Sequence, residues 1–147
     1  MSQGPDSQNR VGTDFSLRRG VYRDFAHGLV WHKPAGFWRI AVGQQARASN
    51  KAASLFIEEA ALGIFGLLII EPSTGLTGPA YHALVQKAAF PGVPDLEAQD
   101  IKVDGKPANK SEALREINGI KLRYQALSWV HGQHAFQFLF WGIPEAM

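Results

Sequence analysis

The chain has no cysteine among its 147 residues. That absence excludes disulfides, thiolate nucleophiles and cysteine-ligated zinc. Charge is also scarce: Asp, Glu, Lys and Arg make up 19% of the chain, against about a quarter in an average protein. The 15 basic and 13 acidic residues nearly cancel to +2, and Arg18-Arg19 is the only adjacent basic pair. A nucleic-acid surface needs a clustered basic stripe that displaces counterions from phosphate, so no nucleic-acid partner is expected. Long apolar runs are missing too. The longest, residues 60–70, is interrupted by Gly63 and Gly66, whereas a membrane-spanning helix needs about 20 apolar residues. No membrane span is expected, and this run reads as core. Residues 1–16 lack the apolar centre of a secretory signal, which leaves cytoplasm and cell envelope equally open. None of the 15 glycines falls in a Gly-x-Gly-x-x-Gly or Walker pattern, so no phosphate cradle and no cofactor is expected.

What is present is apolar mass. Hydrophobic residues account for 46% of the chain, and four tryptophans call for burial. The length suits one core. Residues 1–16 read as a flexible polar leader and 17–147 as a single α+β domain.

Residues 27–42 read as two strands around a turn at Pro34-Ala35-Gly36, with Trp38, Ile40 and Val42 on one face of the second. Over 54–71, Asn50-Lys51-Ala52-Ala53 has the makings of a helix start, while Leu55, Ile57 and Ile69-Ile70 favour strand. Gly63 and Gly66 would each weaken a helix by about 1 kcal/mol, which decides for a hairpin. Residues 79–90 are the best helix. Thr77 or Gly78 caps it, Pro79 fits the first turn, and Pro91-Gly92 stops it. Its apolar spacing places Tyr81, Leu84, Val85 and Ala88 toward the sheet, with His82 and Gln86 on another stripe.

Beyond that helix, 101–106 reads as a strand ending in an Asp-Gly turn, and 113–117 meets 120–130 across Asn118-Gly119, a strong hairpin signal. His131-Gly132-Gln133-His134 turns the chain into 135–142. Phe136, Phe138 and Phe140 alternate with Ala135, Leu139 and Trp141, so this last strand needs cover on both faces. An antiparallel, meander-rich sheet packed against one main helix is the expected fold.

The turn Pro34-Ala35-Gly36-Phe37-Trp38, the helix near Tyr81, the hairpin Ile117-Asn118-Gly119-Ile120 and the aromatic strand 136–141 together resemble the PsbP-like fold. That fold is shared by an extrinsic photosystem protein, a yeast Ran-binding import factor and bacterial exported or lipoprotein domains, and tail domains of some bacterial zinc metallopeptidases look similar. The likeness spans about 22–143 and departs at Phe37, inserted between the glycine and tryptophan of the turn. It departs again at the end, where such domains usually continue into a helix over the sheet, so either the chain is a fragment of a longer protein or part of the sheet is covered by a partner or a second copy. The resemblance implies protein binding or an accessory role and brings no catalytic residue with it.

The residues with chemistry do not assemble by spacing. His131 and His134 lack a third ligand. His27 and His32 lack a nucleophile and an orienting acid, and Glu58 and Glu59 point to opposite faces of a strand. Trp31, Trp38 and Trp141, with Arg123 beside Lys121 as a polar rim, are the candidate binding residues. The expected function is noncatalytic protein interaction, with a protein partner or self-association. The alternative is a small apolar ligand, or an enzyme's substrate, held in an aromatic pocket between sheet and helix.

Overall fold

The computed structural model describes residues 10–11, 15–18, 21–24, 29–32, 38–93 and 96–144. His27 and the turn residues 33–37 lie outside them, as does the side chain of His32. Among the described residues the architecture is α+β: a seven-stranded antiparallel sheet, a four-stranded antiparallel sheet and two helices.

The small sheet runs β1 (Arg10–Val11), β2 (Phe15–Arg18), β3 (Val21–Asp24) and β4 (Leu29–His32), in chain order. β1 and the first two residues of β2 fall in the stretch, residues 1–16, read as a flexible leader. Arg10 pairs with Leu17 and Val11 with Ser16, so backbone hydrogen bonding orders a segment whose polar composition carries no strand signal.

The large sheet begins with β5 (Arg39–Val42), α1 (Gln44–Ser49), β6 (Ala53–Glu59) and β7 (Ile64–Pro72). Asn50 closes α1 where the sequence had the makings of a helix start. Its side-chain oxygen accepts from Ala52 N at 2.9 Å, an Asx turn that leads straight into β6. After β7, helix α2 (Gly78–Ala89) crosses the sheet, and β8 (Gln99–Val103) enters at the far edge. The chain then walks back through β9 (Lys106–Ile117), β10 (Ile120–His131) and β11 (His134–Gly142), and β11 docks on β7. The order β5-β6-β7-β11-β10-β9-β8 is therefore two runs of neighbouring strands joined by a helical crossover.

Asp104-Gly105 and Asn118-Gly119 both adopt positive φ, as two-residue hairpin turns of the primed type require. β9 starts at Lys106, seven residues before the apolar alternation at Ala113 announces it. Pro107 is tolerated because it pairs with Lys102 next to the hydrogen-bonded pair Val103–Lys106, and the ladder to β10 begins only at Asn109.

Register places two rows of side chains on one face: Val42, Leu55, Leu68, Phe138 and Leu127, and beside them Ile40, Ile57, Gly66 and Phe140. Tyr22, Leu29 and Trp31 of the small sheet close this face. The opposite face carries Ala41, Phe56, Leu67, Leu139 and Ala126. There α1 covers Ala53, Phe56 and Leu67, while Tyr81, Val85 and Phe90 pack on Ala126 and Ala135. β11 is thus covered on both sides, as its doubly apolar sequence demands.

Gly66 is a close-packing position. A Cβ there would lie 3.0 Å from Ile57 Cγ1 and 3.0 Å from Phe140 Cδ1, and both neighbours are core residues. Gly66→Ala should lower unfolding stability by about 1–3 kcal/mol through overpacking. Equal denaturation midpoints for the two proteins would contradict this packing.

Candidate functional site

Helix α2 starts where the sequence places it. Thr77 Oγ1 accepts from Ala80 N at 3.2 Å and Pro79 occupies the first turn. Its buried face differs from the expected one: Leu84 and Ala88 are exposed, while Tyr81, His82 and Val85 are buried. The helix is rotated because the sheet offers it two hydroxyls. Ser111 of β9 and Ser128 of β10 are 2% and 0% exposed, and His82 reaches both.

His82 Nδ1 lies 2.6 Å from Ser128 Oγ and Nε2 lies 2.7 Å from Ser111 Oγ. Ser111 also accepts from Gln86 Nε2 at 2.7 Å and donates to the Glu97 carbonyl at 3.2 Å. A hydroxyl has one proton and two acceptor sites, so one assignment satisfies every contact. Ser111 gives its proton to Glu97 O, His82 Nε2–H donates to Ser111, and Ser128 O–H donates to the bare Nδ1. The imidazole is neutral in this arrangement, and burial pushes its pKa below the ordinary value. Serine and histidine within reach of each other superficially match a nucleophile and base. The group is nevertheless sealed under α2 in this conformation, and among the described residues no carboxylate touches the ring. It works as a latch between helix and sheet.

A second tie joins the start of the helix to the sheet. Tyr81 Oη donates to Glu71 Oε2 at 2.8 Å, and Gln137 Nε2 donates to both. Burial and the neighbouring carboxylate together push the Tyr81 phenol well above its ordinary pKa. At the other end Arg115 Nη1 donates to the Ala89 carbonyl at 2.9 Å, capping α2 with a cation where the helix dipole is negative.

Arg115 also ends an aromatic row. Its guanidinium lies 4.7 Å from the centre of the Tyr124 ring, Tyr124 stacks on Trp141 at 5.9 Å, and Trp141 stacks on Phe65 at 5.8 Å. The rings are close to parallel, so Trp141 stacks between Tyr124 and Phe65.

The four candidate residues are not brought together. Trp31 lies in β4 against Phe138 at 6.4 Å, and Trp38 is buried in the same core. Trp141 belongs to the opposite face, in the row just described. Arg123 lies 3.6 Å from Glu112, which also accepts from Gln125 Nε2 at 3.1 Å. Between sheet and helix, Tyr81, Val85, Phe90, Ala126 and Ala135 fill the space that an aromatic pocket would need. An open groove of about 560 Å³ lies outside it along the end of α2, lined by Gln86, Lys87, Phe90, Val93 and Leu96. His131 and His134 face each other across β10 and β11, and among the described residues no three His, Asp or Glu side chains gather to hold a metal ion. Glu58 pairs with Arg39, while Glu59 is buried and accepts from Ala61 N, so the two carboxylates diverge.

Among the described residues one region lacks cover. Helix α2 packs on the end of the sheet around Ala126 and Ala135, and the opposite end, at the β9–β10 hairpin, projects beyond it. Ile120 and Ile143 are 57% and 42% exposed there, Ile120 on the face it shares with half-buried Ile117 and Leu122, and Leu114 is 55% exposed on the other face, opposite Arg123. The hairpin was legible in the sequence, but its exposure was not. Apolar alternation marks a face without saying whether anything lies on it. No protein-family model matches the chain, and no curated protein matches it. Among the described residues no helix is long and apolar enough to cross a membrane.

The latch sets a pH dependence. The folded-state pKa of His82 is lowered, so its contribution is complete above the unfolded value near 6.5 and is lost as pH falls through it toward the folded value. Between about pH 7.5 and 5 the wild type should therefore lose more stability than His82→Gln, measured by urea denaturation. Parallel pH profiles would contradict a neutral, sealed imidazole.

Proposed function

We propose that this chain is a noncatalytic interaction or accessory module that binds protein, a partner or a second copy, through the uncovered end of its large sheet. The observation that carries the reading is the exposure of Leu114, Ile120 and Ile143 at the β9–β10 end. Isolated exposed apolar residues are ordinary. Here Ile120 shares one face of the projecting hairpin with Ile117 and Leu122, while Leu114 stands on the other face of β9 at the strand edge, and exposed apolar surface of this kind marks interaction sites. A PsbP-like fold belongs to the same proposal. It is supported by the antiparallel sheet, the helix packed on one face and the aromatic strand β11.

Site-specific photo-crosslinking tests it in cells that produce the chain. A benzophenone side chain in place of Ile120 should yield one discrete protein adduct, and the same group in place of Leu62 should yield none, although Leu62 is 51% exposed. Identical patterns from both positions, or no adduct from either, would remove the basis for the proposal.

A further inference from the structure

The uncovered hairpin also has an open edge. β8 pairs with β9 only from Lys106 to Lys110, whereas β9 continues to Ile117. In a two-residue hairpin the residues flanking the turn exchange both backbone hydrogen bonds, and the pattern alternates from there. Ile117 and Ile120 flank Asn118-Gly119, so Ile117, Arg115 and Ala113 turn their N–H and C=O groups toward β10. Val103 and Lys106 flank Asp104-Gly105, so the even positions Lys106, Ala108 and Lys110 turn theirs toward β8. The two turns agree on one parity. Beyond Lys110 the same parity aims the backbone groups of Glu112, Leu114 and Glu116 away from the sheet, where no described residue pairs with them. Residues 96–98 leave this line toward α2: the Glu97 carbonyl takes the Ser111 hydroxyl and the Leu96 carbonyl takes Gln86.

An edge of this kind accepts an added strand. A second copy fits poorly. In antiparallel self-pairing, outward residues oppose outward residues. Centring on Leu114 sets Glu112 against Glu116 twice, and centring on Arg115 sets arginine against arginine. Centring on Ala113 brings Glu116 against Lys110, whose outward groups β8 already holds. Like charges directly opposite destabilise a strand pair.

Resting on the binding reading above, we infer that the β9 edge takes an extended antiparallel segment of a different protein, with an apolar residue opposite Leu114 and basic residues opposite Glu112 and Glu116. The recognised pattern is basic–x–apolar–x–basic. Glu112, Leu114 and Glu116 are all exposed on one face, so each has room for its cross-strand neighbour. Glu112 keeps acceptor capacity beyond its contacts with Gln125 and Arg123.

The probe is a fluorescein-labelled peptide, Thr-Lys-Thr-Val-Thr-Lys-Thr, titrated with the full chain and followed by anisotropy. Binding should weaken about tenfold when both lysines become glutamate, and it should vanish when the backbone nitrogens of the valine and the two lysines, which face β9, are N-methylated. The double variant Glu112→Lys, Glu116→Lys should reverse the charge preference and bind the glutamate peptide better. Absence of binding, indifference to the charge swap, or a concentration-dependent dimer crosslinked through Leu114 would overturn the inference. An adduct at Ile120 together with a silent peptide would leave the binding reading standing and reject this pattern, whereas silence in both experiments would reject both.

Discussion

The His82 imidazole, held between two buried serine hydroxyls, decides where α2 lies on the sheet. A helix docked by apolar contacts alone has latitude in rotation and position, because hydrophobic burial is nearly non-directional. Hydrogen bonds at 2.6 and 2.7 Å to residues on two adjacent strands remove that latitude, since any slip would leave a histidine and two hydroxyls buried without partners. Everything downstream of that placement follows. The Tyr81–Glu71 bond fixes the start of the helix, Arg115 fixes its end, and the β9–β10 end of the sheet is left beyond its reach.

The two faces of the sheet are held by different physics. On one, the small sheet closes an almost wholly apolar layer in which Phe138 and Phe140 stack at 4.5 Å and Phe140 lies over Gly66. On the other, α2 meets a mixed surface where apolar contacts at Val85, Phe90 and Ala126 surround a polar centre. The first layer sets stability through burial and shape. The second sets specificity of position, and with it the part of the molecule available to a partner.

Much of this fold was legible because strand and turn signals are local. Asn118-Gly119 and Asp104-Gly105 declare their hairpins, and the phenylalanines of β11 declare two-sided burial. The rotation of α2 was not legible, because Tyr81, Leu84, Val85 and Ala88 form a convincing apolar stripe. The helix instead turned His82 inward to answer hydroxyls 29 and 46 residues away in sequence. The one local hint was Ser128, polar within the run Ala126-Leu127-Ser128-Trp129-Val130. The open edge was hidden for a related reason: it depends on where β8 ends relative to β9, a property of pairing and not of either sequence. The tryptophans drew attention as candidate binding residues because of their type, yet Trp31, Trp38 and Trp141 fall on two faces of one sheet.

Residue-resolved amide hydrogen exchange along β9 tests the central claim most directly, because the placement of α2 and the early end of β8 together leave that strand paired on one side only. Slow exchange at Ala113, Arg115 and Ile117 alternating with fast exchange at Leu114 and Glu116 is the expected result. Uniform protection from Ala113 to Ile117 would mean that the edge is already covered, and the account would fail.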